Sequence, residues 1–245
     1  MIQLTIDDRS VEVAEGRTLL EACREHGIAV PTLCHHPALK PYGACRLCVV
    51  EVSAPPPPGD RRPRPARLAA ACAYPCEPGL VVCTHSDLVQ RSRRITAELL
   101  LAGAYTSPEI QALARSLGVE APRYRRPEAD TCVVCGLCVR ACREIVGVGA
   151  ISLTRRGLAK RVSPPFDEPA ASACIGCGTC VLICPTGHLT LADVAGFRSL
   201  HTGADEARQY CQACGDQDLT PRGMADVPAV LAPAAASAAQ KEKAR

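Results

Sequence analysis

Tryptophan is absent from this chain of 245 residues, and phenylalanine occurs twice, at 166 and 197. Aromatic residues make up 3% of the sequence, so any core must rest on Val, Leu, Ile and Ala. With apolar mass this thin, bound metal is expected to help nucleate folding. No apolar run reaches the ~18 residues that would cross a membrane. Met1 leads into a strand-like run, Ile2 to Ile6, and the basic, then apolar, then small order of a signal segment is missing. A net charge of +3 is too small to argue for nucleic acid as a partner. No glycine-rich nucleotide loop, flavin motif or acid–base pair stands out, so no catalytic residue is assigned. What the chain has in excess is cysteine.

Seventeen cysteines could form a secreted disulfide scaffold, but the odd count and the spacings favour a reducing, cytoplasmic setting where thiols bind metal. Cys132, Cys135, Cys138 and Cys142 stand as C-x2-C-x2-C-x3-C. Cys174, Cys177, Cys180 and Cys184 repeat the pattern, and Pro185 follows. This is the ligand pattern of two [4Fe–4S] clusters in a bacterial-type ferredoxin, where the fourth thiolate of each cluster comes from the other motif. One cluster is therefore expected on Cys132, Cys135, Cys138 and Cys184, and the other on Cys174, Cys177, Cys180 and Cys142. Gly136, Gly176 and Gly178 suit loops whose backbone passes close to a cube and donates N–H groups to its sulfurs. A zinc site is the bland alternative, but a third Cys at i+6 and a fourth at i+10 fit zinc poorly.

The amino-terminal residues read as strand, turn, strand and helix. Ile2, Leu4 and Ile6 alternate, Asp7 and Asp8 turn, and Val11 and Val13 alternate. Thr18 is the expected N-cap, with Glu21 completing a capping box, and Gly27 is placed to end the helix. Such an opening predicts a β-grasp ferredoxin domain. The segments PTLCHHPALKPYGACRLCVVEV and RLAAACAYPCEPGLVV then resemble the [2Fe–2S] loop of a large family. It includes the amino-terminal part of the complex I large iron–sulfur subunit, the diaphorase iron–sulfur subunits of NAD-linked hydrogenases and formate dehydrogenases, and the front of iron-only hydrogenases. The resemblance implies Cys34, Cys45, Cys48 and Cys72 as [2Fe–2S] ligands. APPPPGDRRPRP, residues 54 to 65, lengthens the gap before Cys72 beyond the family pattern. It reads as a solvated insertion, with a partner-docking arm as the rival reading.

In the segment from Ser86 to Gly103, Leu88, Val89, Ile95, Leu99 and Leu100 recur at helical spacing, which predicts a helix with Arg91, Arg93 and Arg94 facing solvent. A second helix is expected from Ser107 and Pro108 to Gly118. In the complex I family this region holds a further [4Fe–4S] cluster on one His and three Cys. Here no His or Cys occurs between Ser86 and Thr131. The resemblance resumes through the two cubane motifs and covers roughly residues 1–195. The expected architecture is α+β: a β-grasp [2Fe–2S] domain at 1–85, a helical linker at 86–127, a two-[4Fe–4S] ferredoxin domain at 128–195, and an extension at 196–245 that turns to a disordered tail beyond Met224.

Cys23, Cys76, Cys83, Cys211 and Cys214 remain outside these sets. Cys23 falls on the buried side of the first helix. Cys76, Cys83, Cys211 and Cys214 are candidates for one additional site, zinc or a third cubane. Rival readings are a site shared with a partner chain, or unligated thiols. His85 and His188 are weaker candidate ligands.

The resemblance implies an electron-transfer subunit that wires a flavin-bearing, NAD(P)H-oxidising subunit to the catalytic subunit of a hydrogenase or formate dehydrogenase. A quinone-linked subunit of the succinate dehydrogenase type is a rival, disfavoured by the ten residues between Cys34 and Cys45. A free-standing redox-sensing regulator is another, for which no DNA-binding helix pair is found.

Overall fold

The computed structural model describes residues 1–55, 65–127, 130–164 and 173–190. The core of the proline-rich loop, Cys211, Cys214 and the tail beyond Met224 lie outside them. The chain divides into two compact units, one comprising Met1–His35 with Pro41–Asp130 and the other His36–Lys40 with Thr131 onward. Among the described residues, no helix is long and apolar enough to cross a membrane.

The first unit opens with β1 (Ile2–Ile6) and β2 (Arg9–Val13), paired antiparallel from Ile2 opposite Val13 to Ile6 opposite Arg9. Asp7 and Asp8 both take positive φ, 47° and 63°, which matches a tight turn to the twist of the strands. Ile2, Leu4, Ile6, Val11 and Val13 all point into the core, as the alternation predicts. Helix α1 (Leu19–Glu25) starts at the expected capping box: the Thr18 side chain accepts from the Glu21 N–H, and the Glu21 carboxylate accepts from the Thr18 N–H at 2.8 Å. It ends in two reversed bonds, Gly27 N–H to the Arg24 carbonyl and Ile28 N–H to the Cys23 carbonyl, with Gly27 at φ 70°.

Strands β3 (Val49–Ser53), β4 (Arg67–Ala70) and β5 (Val81–Cys83) complete a mixed sheet of order β2-β1-β5-β3-β4, with β1 and β5 parallel. Leu19, Leu20, Ala22 and Cys23 of α1 join Val50, Val52 and Val82 of the sheet in one core.

Helices α2 (Asp87–Gly103) and α3 (Pro108–Ser116) follow, capped by Ser86 and Ser107. The face of α2 inferred from sequence needs correction. Its buried residues are Val89, Arg93, Ala97 and Leu101, a stripe at fourfold spacing, while Leu88, Ile95 and Leu99 are exposed. The sequence pattern places Arg93 in solvent; it is instead 7% exposed, because its Nη2 donates to the Val49 carbonyl on β3 at 2.8 Å. Arg91 and Arg94 do face solvent.

The second unit is built on α4 (Leu137–Glu144), α5 (Thr179–Leu182) and a small ribbon of β6 (Ser152–Thr154) with β7 (Arg161–Ser163). Its core joins Leu137, Cys138, Ala141, Ile151, Ile183 and Leu189 to Leu39, 5% exposed. Lys40 fixes the same five-residue segment, since its N–H donates to the Glu144 carboxylate at 3.1 Å and its carbonyl accepts from Arg140. Truncating Leu39 to Ala leaves a cavity among these side chains and should cost about 2–5 kcal/mol. Denaturant unfolding of Leu39→Ala against wild type checks this, and a loss below about 0.5 kcal/mol would show the segment to be dispensable.

Candidate metal centres

Cys45 and Cys48 sit at the two ends of a tight loop whose Arg46 takes φ 60°. Cys34 precedes the loop and Cys72 follows β4, and the four thiols lie within electrostatic reach of one another. Three of them, Cys34, Cys48 and Cys72, are 1% exposed. The Cys45 N–H donates to the Cys34 sulfur at 3.3 Å. Cys48 donates its thiol hydrogen to Cys72, which holds Cys72 down at about 7 with help from the Gly43 N–H, despite burial. The donors shift the opposite way: the bond to Cys34 and burial push Cys45 far up, and the bond to Cys72 and burial do the same to Cys48. A site of four converging thiols, three of them buried, with backbone N–H groups aimed at sulfur, fits the donor chemistry of an iron–sulfur centre.

The two C-x2-C-x2-C-x3-C motifs fold alike. Each begins with a residue in the left-handed region inside its first C-x2-C, Val134 at φ 53° and Gly176 at φ 74°. Val134 is a β-branched residue in a conformation that suits glycine, so this loop is strained where its twin is relaxed. Each motif then has a left-handed glycine as helix N-cap, Gly136 for α4 and Gly178 for α5. The third Cys of each motif, Cys138 or Cys180, lies in the first turn of that helix.

The motifs interleave. One apolar recess is lined by Cys132, Cys135 and Cys138 of the first motif together with Cys184 of the second, with Val133, Val162, Pro185 and Leu189 around them. Burial pushes the Cys138 thiol up, with Cys135, Cys180 and Cys184 adding to the shift. Cys180 is pushed up to about 12 by burial and by neighbouring Cys177, Cys174 and Cys142. Each motif thus brings its fourth cysteine to the other's first three. Backbone donors face these sulfurs: the Ala150 N–H reaches Cys142 at 3.3 Å, and the Val134 N–H reaches Cys132 at 3.4 Å. At Cys184 burial raises the thiol, but N–H groups of Leu189, Thr186 and His188 with the Thr186 hydroxyl outweigh it and leave the thiol lowered.

The remaining cysteines part company. Cys23 is buried in the first core, as expected, and Cys76 is buried there too, its thiol raised to about 11 by burial and the nearby Glu21 and Glu25. Cys83 is half-buried at the end of β5, where it, Asp7 and His85 each place a donor atom within 4.8 Å of the others. The Asp7 carboxylate is already engaged there by the N–H and hydroxyl of Thr84 and by His85 Nδ1 at 3.2 Å. His188 is exposed, its Nδ1 2.9 Å from the Thr131 hydroxyl. The residue that sequence reading misses is Arg93. Its signal is the stripe Val89, Arg93, Ala97, Leu101, which competes with a more conspicuous row of leucines.

A 2Fe-2S iron-sulfur cluster binding domain matches residues 1–87, and a 4Fe-4S binding domain matches residues 171–187. In a crystal structure of NAD+-reducing [NiFe]-hydrogenase in the H2-reduced state, one chain superposes with a TM-score of 0.62 at 31% identity, over 76% of this chain and 86% of that one. The chain belongs to this iron–sulfur family. Its members include a subunit of the NADH-quinone oxidoreductase of Rhizobium meliloti, 32% identical over 189 residues, and the NADP-reducing hydrogenase subunit HndD of Solidesulfovibrio fructosivorans, 33% identical over 219. Those matches cover 66% and 77% of this chain but 21% and 36% of the relatives, so the chain spans a fifth to a third of their length. The mixed α+β fold, the 2Fe–2S domain and at least one 4Fe–4S motif are thereby established.

Gly43 tests the construction of the first site. Its φ is 66°, its N–H serves Cys72, and a Cβ built there would stand 3.4 Å from the Ala73 Cβ. Gly43→Ala should cost about 1–2 kcal/mol of backbone strain. It should lower both the melting temperature and the [2Fe–2S] absorbance per chain, and wild-type values of both would refute the assignment.

Proposed function

We propose that this chain is an iron–sulfur electron-transfer subunit, carrying one [2Fe–2S] and two [4Fe–4S] clusters. The single observation that carries the reading is the interleaving of the cubane motifs, with Cys184 completing the recess of the first motif and Cys142 lying among the thiols of the second. The proposed ligand sets are Cys34, Cys45, Cys48 and Cys72 for [2Fe–2S], then Cys132, Cys135, Cys138 and Cys184, and Cys174, Cys177, Cys180 and Cys142. The sheet order and the packing of α1 into its core support a β-grasp reading of the amino-terminal domain.

When bound, the clusters supply one-electron chemistry, accepting and releasing electrons without a bound substrate. The chain's own contribution is placement and insulation. Val133, Val162 and Leu189 keep water from the first cubane recess, and N–H groups of Val134 and Ala150 lower the charge on sulfur. From the family, we infer a flavoprotein that oxidises NAD(P)H as one partner. The other is the catalytic subunit of a hydrogenase or formate dehydrogenase, and the setting is cytoplasmic. The absence of His and Cys between Ser86 and Thr131 means that the linker of this chain holds no His/Cys3 cluster of its own.

Anaerobically purified protein should contain about ten irons and ten labile sulfides per chain. Cys135→Ala and Cys184→Ala should each remove about four irons, and the double variant should remove no more than either alone. Additive losses in the double variant would place the two thiols on different clusters and overturn the interleaved assignment.

A further inference from the structure

Arg93 is a buried cation with no carboxylate against it. From α2 its side chain reaches β3, where Nη2 donates to the carbonyl of Val49, the residue that follows Cys48. The residue is 7% exposed, and its Nε is buried with no hydrogen-bond partner. Among the described residues no ion pair involves it. The groups that feel its charge are Cys48, Cys23 and Asp7. Cys23 is neutral at pH 7, since burial raises its thiol to about 11. The Asp7 carboxylate is turned to Thr84 and His85. One fixed positive charge is left beside a thiol of the amino-terminal site, in a region where water screens little.

Such a placement is costly if its only purpose is to tie a helix to a strand. A neutral amide would satisfy one carbonyl without the desolvation of a guanidinium. What the charge adds is a field. Reduction adds one negative charge to a [2Fe–2S] centre, and a nearby buried cation stabilises that state more than the oxidised one. We propose that Arg93 is a positioning residue of electrostatic kind, which raises the reduction potential of the [2Fe–2S] centre through its charge beside Cys48. The inference rests on the ligand set given above. It makes α2, a helix that supplies no thiol, a determinant of where the [2Fe–2S] centre stands in the order of potentials.

The test is an EPR-monitored redox titration of the full chain. Arg93→Gln keeps an N–H donor for Val49 and removes the charge, so its midpoint should fall below wild type. Arg93→Lys keeps the charge and should recover most of the difference, even where both variants lose similar thermal stability. The shift should persist at high salt, because the group is buried. If Arg93→Gln fails to retain the cluster, Arg93→His gives the same information. Its midpoint should fall as the imidazole loses its proton with rising pH, against a profile that lacks this step in wild type. An unchanged midpoint in Arg93→Gln, an equal fall in Gln and Lys variants, or a pH profile for Arg93→His that matches wild type would overturn the inference. Absence of a [2Fe–2S] spectrum from the wild-type chain would overturn the ligand set as well.

Discussion

Iron binds thiolates, and a buried thiol resists becoming one. Nearly every feature of the proposed sites answers this opposition. Burial drives Cys138, Cys142 and Cys180 upward, away from ionisation at neutral pH. Backbone N–H groups push the other way at Cys142 and Cys184, and the Gly43 N–H does so at Cys72. In the proposed reading the metal supplies the remaining positive charge, so cluster assembly and the closing of each core are one thermodynamic event. The scarcity of aromatic mass makes that coupling tighter, since the cores of both units are small and aliphatic.

Much of this is legible in the chain because the signals are local. The Asp7-Asp8 turn, the Thr18–Glu21 capping box, Gly27, Ser107 with Pro108, and Gly118 all act within a few residues, and each stands where the sequence predicts. The cysteine spacing is equally local. What sequence reading loses depends on partners far along the chain. Arg93 looks solvated because its acceptor, the Val49 carbonyl, lies forty-four residues away and belongs to a main chain that has no sequence signature. The exposed leucines of α2 also make the wrong face of that helix look like the buried one. Val134 in a left-handed position is invisible for a similar reason, because valine gives no hint of the conformation that Gly176 announces in the twin motif.

The segment between the two cysteine-rich parts is held by protein contacts alone. Helices α2 and α3 keep their serine caps, their buried stripes and the terminating Gly118, although the segment offers no thiol or imidazole to a metal. The helices are anchored by packing and by Arg93, so this scaffold holds its position without iron.

The five residues from His36 to Lys40 lie, in sequence, between Cys34 and Cys45, yet they belong to the second unit. The chain therefore passes from one unit to the other at three places, and the order of its residues does not match the order of its bodies. A foreign ferredoxin joined at residue 131 would bring its own thiols and helices but not Arg140 and Glu144, which hold this segment. Leu39 would then lose the side chains that now bury it. The second unit thus depends for part of its core on residues that lie, in sequence, between two cysteines of the first.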